Sequence, residues 1–161
     1  MRGVLRRADP RLLGAIGLGT VTAAGAGRDV LSGKDLARRL VEVINARDWS
    51  QLDQLCTAQL APKLRTAFEA FEQTFPDWRQ DIVELVEEPP TVVARFRCTG
   101  TQTGDWLGLP ASGRSMRVDE VSFIRITDGR ISGMWGLEDT WTRMRQLTGD
   151  DAALGELGSL S

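Results

Sequence analysis

The chain has 161 residues, of which 42% are hydrophobic and 26% are charged, a composition typical of one globular domain with a single core. Its 20 basic and 22 acidic side chains leave a net charge of −2, which gives no electrostatic reason to expect binding to nucleic acid or to an anionic membrane. The sequence has no histidine and no tyrosine, so it excludes a Ser-His-Asp triad, a histidine metal site and phenolic acid chemistry. Any acid–base chemistry must therefore use Asp, Glu, Lys or bound water, and we expect no metal and no cofactor.

The first 33 residues differ from the rest of the chain. Arg6-Arg7 is a twin arginine and Ala24 to Ala26 could form a small-residue cleavage site, whereas Asp9-Pro10 disrupts the usual export pattern. The apolar stretch between them is too short for a membrane span. We expect an arm at residues 1–33, a domain at 34–148, a flexible tail at 149–161 and a cytoplasmic location, with export as the alternative.

Helical periodicity begins at Lys34. Apolar residues at three- and four-residue spacing predict helices near residues 35–46, 50–60 and 62–75. Two cysteines, Cys56 and Cys98, lie in apolar settings, and we predict that both are free thiols in the core.

The period changes to two after Pro76. Strands are predicted at residues 80–88, 91–104, 114–126 and 131–139, with an Asp-Gly hairpin turn at 127–130 and a last helix at 140–147. Helices followed by antiparallel strands indicate an α+β fold.

Several segments between Asp35 and Leu147 resemble the SnoaL-like family of polyketide (ester) cyclases. The most specific are the loop GTQTGDWLGLPASGR, the pattern Phe123-x-Arg125-x-x-Asp128-Gly129, and a tryptophan followed by an aspartate four residues later. The resemblance implies a cone-shaped barrel of the nuclear transport factor 2 type, in which N-terminal helices and a curved antiparallel sheet enclose an apolar cavity. It also implies an intramolecular aldol reaction that closes a ring.

The acid–base residues of that family are replaced in this chain. Family members usually carry a His-Trp-Asp run in the last strand, in which the aspartate acts as acid and base. Here the run is Met134-Trp135-Gly136, so only the tryptophan matches. A second cavity histidine of the family would fall near Ser122. A proton carrier in this chain must therefore be another carboxylate.

Two glutamates lie on strand faces that the resemblance turns towards the cavity. Alternation puts Glu138 on one face with Met134 and Gly136, and Glu120 on one face with Met116 and Ser122. A carboxylate among apolar neighbours has a raised pKa, which suits a general acid or base. We predict Glu120 and Glu138 as the catalytic candidates; the alternative for Glu120 is a solvent-facing or arginine-neutralised side chain.

The remaining candidates are predicted to bind substrate. Asp139 matches a family position, but it precedes the last helix on the Trp135 face, so a helix cap is the competing interpretation. An apolar cavity favours a substrate with a long hydrocarbon part. The full set of substrate-binding candidates is Phe96, Trp106, Met116, Ser122, Met134, Trp135, Gly136, Asp139 and Trp141.

Three functions follow from these patterns. The first is a cyclase of a polyketide or related natural product, in which substrate folding (a pericyclic-type closure) contributes more than acid–base aldol chemistry, so that removing either glutamate slows turnover only modestly. The second is a non-catalytic ligand- or partner-binding module of the same fold. The third is an epoxide-opening or hydratase-like enzyme, whose carboxylate–arginine–carboxylate arrangement is not evident in the sequence. The expected partner is a small apolar or polyketide molecule, and the resemblance implies a homodimer through the open face of the sheet.

Overall fold

A computed structural model describes residues 31–149. In this range the helices are α1 (Gly33–Ala46), α2 (Leu52–Leu55), α3 (Ala61–Thr74) and α4 (Thr140–Thr148), with a 3₁₀ turn at Trp49–Gln51. The strands are β1 (Arg79–Glu88), β2 (Thr91–Thr101), β3 (Ser115–Thr127) and β4 (Arg130–Glu138). The predicted export signals and nearly all of the predicted tail lie outside the described residues. No helix within residues 31–149 combines the length and apolarity needed to cross a lipid bilayer.

The four strands form one antiparallel sheet in the order β1-β2-β3-β4, which confirms the α+β prediction. The predicted hairpin between β3 and β4 is also confirmed. Asp128 and Gly129 both have positive φ angles, 51° and 71°. These angles match a type I′ turn, whose twist suits two antiparallel strands.

One face of the sheet, called here the inner face, carries the core. Alternate residues of β2, from Val92 to Cys98, are buried on it, and α1 covers β1 and β2 with its apolar stripe. The prediction for the cysteines is confirmed, because Cys56 and Cys98 are both free and fully buried. Burial raises the pKa of Cys56 to about 11 and raises that of Cys98 as well, so neither thiol is a ready nucleophile.

The predicted second helix at 50–60 is wrong in length. It ends at Leu55, because Cys56 adopts an extended conformation and pairs in parallel with Ile131 at the start of β4. The Thr57 N–H donates to the Ile131 carbonyl at 2.9 Å, and Arg130 donates to the Cys56 carbonyl at 3.2 Å. These bonds to the distant hairpin replace the helical bonds that the apolar spacing predicted.

Asp139 caps α4. Its Oδ1 accepts a hydrogen bond from the Thr142 backbone N–H at 2.9 Å, and its Oδ2 accepts one from the Thr142 hydroxyl at 2.6 Å. At the other end, Gly149 closes the helix with a φ of 81°. The cap fixes where β4 stops and therefore how α4 lies against the sheet.

We expect the Asp139→Ala substitution to lower the free energy of unfolding by about 1 kcal/mol, since an N-cap carboxylate satisfies an otherwise unpaired helix N–H. Urea unfolding followed by circular dichroism measures the loss. Asp81→Ala is the matched control, because Asp81 is an exposed residue in a surface ion pair with Arg79. Equal stability of the two variants would contradict the capping role.

Candidate active site

A pocket of about 200 Å³ lies between α3, α4 and the inner face of the sheet. Its apolar wall comes from α3 and from Trp78 and Met134, because the stripe on α3 repeats every three to four residues and faces the sheet. The other end of the pocket is polar. The lining residues are Ala67, Phe68, Phe71, Trp78, Gln80, Glu120, Met134, Glu138 and Arg143.

The two glutamates of the pocket face each other across neighbouring strands. Glu120 on β3 is the register partner of Glu138 on β4. Opposed residues of an antiparallel pair have Cβ atoms about 4.5–5.5 Å apart, and like charges at this distance destabilise the sheet. The pocket must therefore supply compensating donors or cations for both carboxylates.

The compensating group for Glu138 is Arg143. The Arg143 Nη2 forms an ion pair with Glu138 Oε2, and the Thr140 hydroxyl donates to Glu138 Oε1 at 3.3 Å. Burial raises the pKa of Glu138, and the negative charge of Glu120 adds to this effect, whereas Arg143 opposes it. The pKa of Glu138 lies above its ordinary value despite the ion pair, as a proton acceptor working near neutral pH requires.

Glu120 is held by three donors. Its Oε1 accepts from the Ser122 hydroxyl at 3.0 Å, and its Oε2 accepts from Gln80 Nε2 at 3.2 Å and from the Cys98 thiol at 3.6 Å. Gln80 is itself fixed, because its backbone N–H and carbonyl both bond the amide of Asn45, at 2.9 and 2.8 Å. The position of this carboxylate is thus set from three directions.

Arg143 is the most unusual residue of the pocket, because it is a cation with only 1% of its surface exposed. Its guanidinium carbon lies 5.1 Å from the ring centroid of Phe71, 5.4 Å from that of Phe75 and 5.1 Å from that of Trp106. Such cation–π contacts are strongest where water is excluded. Burial lowers the pKa of Arg143 while Glu138 raises it, and an arginine remains charged in either case.

Gly136 leaves the space that the Ser122 hydroxyl uses. A Cβ built on Gly136 would lie 2.8 Å from Ser122 Oγ and 3.4 Å from Glu120 Oε1. A side chain at this position would therefore displace Ser122, which is a donor to Glu120.

The structure brings only part of the predicted site together. Glu120, Met134 and Glu138 line the pocket, Ser122 lies behind Glu120, and Trp106 packs on Arg143. The other candidates lie elsewhere. Phe96 is in the core, Met116 borders a separate groove at the far end of the sheet, Gly136 does not line the pocket, Asp139 caps α4, and Trp135 and Trp141 are 59% and 67% exposed.

Sequence reasoning missed Arg143 and Gln80. On α4 the apolar residues Trp141 and Met144 are exposed whereas Arg143 is buried, so hydrophobic periodicity points to the wrong face of this helix. For Gln80 a signal was present, because it alternates with the half-buried Ile82 at the start of a strand and so shares its inward face.

Known proteins resemble this chain in sequence. Residues 34–147 match the model of the SnoaL-like polyketide cyclase family. The chain is 30% identical over 128 residues to the aklanonic acid methyl ester cyclase DnrD of Streptomyces peucetius, covering 70% of this chain and 88% of that protein.

Solved structures have the same architecture. TsrD from Streptomyces laurentii superimposes with a TM-score of 0.65 at 26% identity, covering 76% of this chain and 98% of TsrD. A SnoaL-like polyketide cyclase of Agrobacterium tumefaciens gives a TM-score of 0.66 at 20% identity, covering 71% of this chain and 96% of the other. The fold is that of the SnoaL-like cone structures.

We expect Arg143→Met to lower the free energy of unfolding by roughly 3 kcal/mol, because it leaves Glu138 as an uncompensated, largely buried charge. The double variant Arg143→Met/Glu138→Gln, which removes both charges, should recover most of this loss. Urea unfolding of the two single variants, the double variant and the parent measures the coupling energy. If the effects of the two single substitutions add, the ion pair does not stabilise the pocket.

Proposed function

Since this chain belongs to the SnoaL-like polyketide cyclase family, we propose that it closes a ring in a polyketide or related natural-product intermediate, with Glu138 moving the proton. The observation that carries the proposal is the facing pair Glu120 and Glu138 at the polar end of an otherwise apolar pocket. An apolar wall suits the hydrocarbon part of such a substrate, and the polar end suits its carbonyl groups.

The reaction is an intramolecular aldol addition. Glu138 removes a proton from a carbon next to a carbonyl, the resulting carbanion attacks a second carbonyl carbon, and that carbonyl oxygen takes a proton and becomes a hydroxyl. One C–C bond forms, and the substrate and product are isomers. The raised pKa of Glu138 supports its role as the base and then the acid.

The position of Glu120 also supports acid–base catalysis in this pocket. The resemblance assigns the family's acid–base aspartate to the position of Gly136, and the Glu120 carboxylate borders the space that a side chain there would fill. Ring closure by substrate folding alone would use neither carboxylate. The presence of both in one pocket therefore favours acid–base catalysis.

A second candidate function is an epoxide-opening or hydratase-like reaction. The observation in its favour is Arg143, which lies with Glu120 and Glu138 in one pocket and so supplies a carboxylate–arginine–carboxylate group that could hold a water molecule. The two functions differ in their products, because a hydratase adds water to its substrate whereas a cyclase yields an isomer. Mass spectrometry of the product separates them.

We expect Glu138→Gln to slow turnover by about 10²–10⁴-fold, as for loss of a general acid–base residue. The parent kcat/KM should fall as the pH drops through the raised pKa of Glu138, because the base must be ionised. The midpoint of this fall should lie above the ordinary pKa of a glutamate. Glu120→Gln should reduce turnover less. The first assay substrate is aklanonic acid methyl ester, which the Streptomyces peucetius relative is named for.

Glu84→Gln is the matched control, since Glu84 lies on β1 with 62% of its side chain exposed. A modest effect of both pocket substitutions would contradict acid–base catalysis and favour closure by substrate folding. A parent protein that binds polyketides without converting them would favour the binding module.

The outer face of the sheet supports a homodimer. An apolar row crosses all four strands, since Val86 pairs with Val93, Val93 with Phe123 and Phe123 with Trp135. Val86, Phe123 and Trp135 are exposed, and the rings of Phe123 and Trp135 lie 5.6 Å apart. Association with a second copy would remove this row from water.

We expect Trp135→Lys to shift the protein from dimer to monomer, because it puts a charge into the apolar row. Size-exclusion chromatography with light scattering measures the mass. Trp141→Lys is the matched control, since Trp141 is an exposed tryptophan on α4 and not on the sheet. A monomeric parent, or dissociation in both variants, would contradict dimerisation through this face.

A further inference from the structure

Arg143 has a hydrogen-bond donor without a partner among residues 31–149. A guanidinium has five N–H donors. Its Nη2 pairs with Glu138, while its Nε is buried and has no hydrogen-bond partner among residues 31–149. The three rings around the guanidinium hold it in place but offer no oxygen to its donors. A buried donor without a partner is costly, so an acceptor from a ligand would improve the site.

The pocket brings this cation to the reacting end of a ligand. Arg143 lines the same pocket as Glu120 and Glu138. Because Arg143 is paired with Glu138, a ligand whose acidic C–H meets Glu138 can place its neighbouring carbonyl oxygen against Arg143.

We propose that Arg143 is the oxyanion-binding residue of this pocket, and that it stabilises the enolate oxygen of the ligand while Glu138 holds the proton. This inference rests on the proposed function and extends it to a residue that neither the sequence patterns nor the family comparison identified.

The charges balance in this step. Before it, Arg143 is paired with the ionised Glu138. When Glu138 takes the proton from the carbon, the C–H bond electrons move into the adjacent C–C bond and the carbonyl oxygen becomes negative. Glu138 is then neutral, and the guanidinium exchanges its carboxylate partner for the enolate oxygen. The net charge of the pocket does not change, and the cation keeps an anionic partner throughout.

The same arrangement disfavours a ligand with a permanent carboxylate. Such a group would enter a pocket that already contains Glu120 and Glu138, and the added negative charge would be repelled. An enolate avoids this penalty because it forms only as Glu138 loses its charge. The pocket therefore selects an enolisable carbonyl, such as a 1,3-diketone, over a carboxylic acid.

The test uses 1-phenyl-1,3-butanedione, whose neutral and enolate forms differ in ultraviolet absorption. The pKa of the bound diketone is measured by spectroscopic titration with saturating protein, and it requires no turnover. In the Glu138→Gln variant, Arg143 has lost its counter-ion. We expect this single variant to prefer the enolate over the neutral diketone at least about tenfold more strongly than the double variant Glu138→Gln/Arg143→Met does. That difference appears as a diketone pKa at least about one unit lower in the single variant.

The comparison isolates Arg143, because both proteins lack the charge of Glu138 and the double variant leaves no buried charge unpaired there. Arg38→Met is the matched control, since Arg38 is an exposed residue of α1 in a surface ion pair with Asp35. It should leave the diketone pKa of the parent protein unchanged. Circular dichroism verifies the fold of each variant.

Equal diketone pKa values in the single and double variants would overturn the inference, whether or not the parent converts a polyketide. A lowered diketone pKa that depends on Arg143, in a protein that converts no polyketide, would support the inference and contradict the proposed cyclase activity. The two proposals therefore fail separately. Benzoic acid serves as a permanent carboxylate, and tighter binding of benzoate than of the enolate to the parent would also overturn the inference.

Discussion

The buried guanidinium of Arg143 sets a constraint that only four segments of the chain acting together satisfy. A charge in the interior is costly unless a counter-ion and a polarisable environment surround it. Arg143 itself comes from α4, and its counter-ion, Glu138, comes from β4. The rings of Phe71 and Phe75 come from α3 and the residue that ends it. The fourth segment is the loop after β2, which contributes Trp106. Two of these segments, α3 and the loop, are far from Arg143 in the sequence, and each takes its position partly from the same cation.

The loop that carries Trp106 is held by a second buried polar group. The fully buried Gln102 donates from Nε2 to the carbonyl oxygens of Gly104, Leu109 and Pro110 at 3.1, 3.2 and 3.2 Å, and its Oε1 accepts from the Ser112 hydroxyl at 2.7 Å. These bonds tie the two ends of the loop to one amide group. Gln102 therefore cross-links the loop that packs Trp106 against Arg143.

The sequence predicted what depends on local periodicity and missed what depends on pairing between distant residues. The strands and the Asp128-Gly129 turn follow from alternation and turn chemistry within a few residues. Alternation also groups Glu120 and Glu138 with their strand neighbours, and the family resemblance indicated that these faces point inward. The length of α2 does not, because its end is set by a bridge to the distant Ile131. Sequence reasoning did not identify Arg143 as a pocket residue for the same reason. Nothing in the residues beside it indicates burial, since its counter-ion and its rings arrive from other segments.

The absence of a side chain at Gly136 has a consequence for how this pocket could have arisen. A Cβ at position 136 would lie 2.8 Å from the Ser122 hydroxyl and in ordinary contact with the Glu120 carboxylate, so a side chain at 136 requires Ser122 to move. Ser122 is therefore linked to both strands, because its hydroxyl binds Glu120 and also occupies the space beside residue 136. A lineage that moves its acidic group from position 136 to position 120 has to change residue 122, or its rotamer, as well.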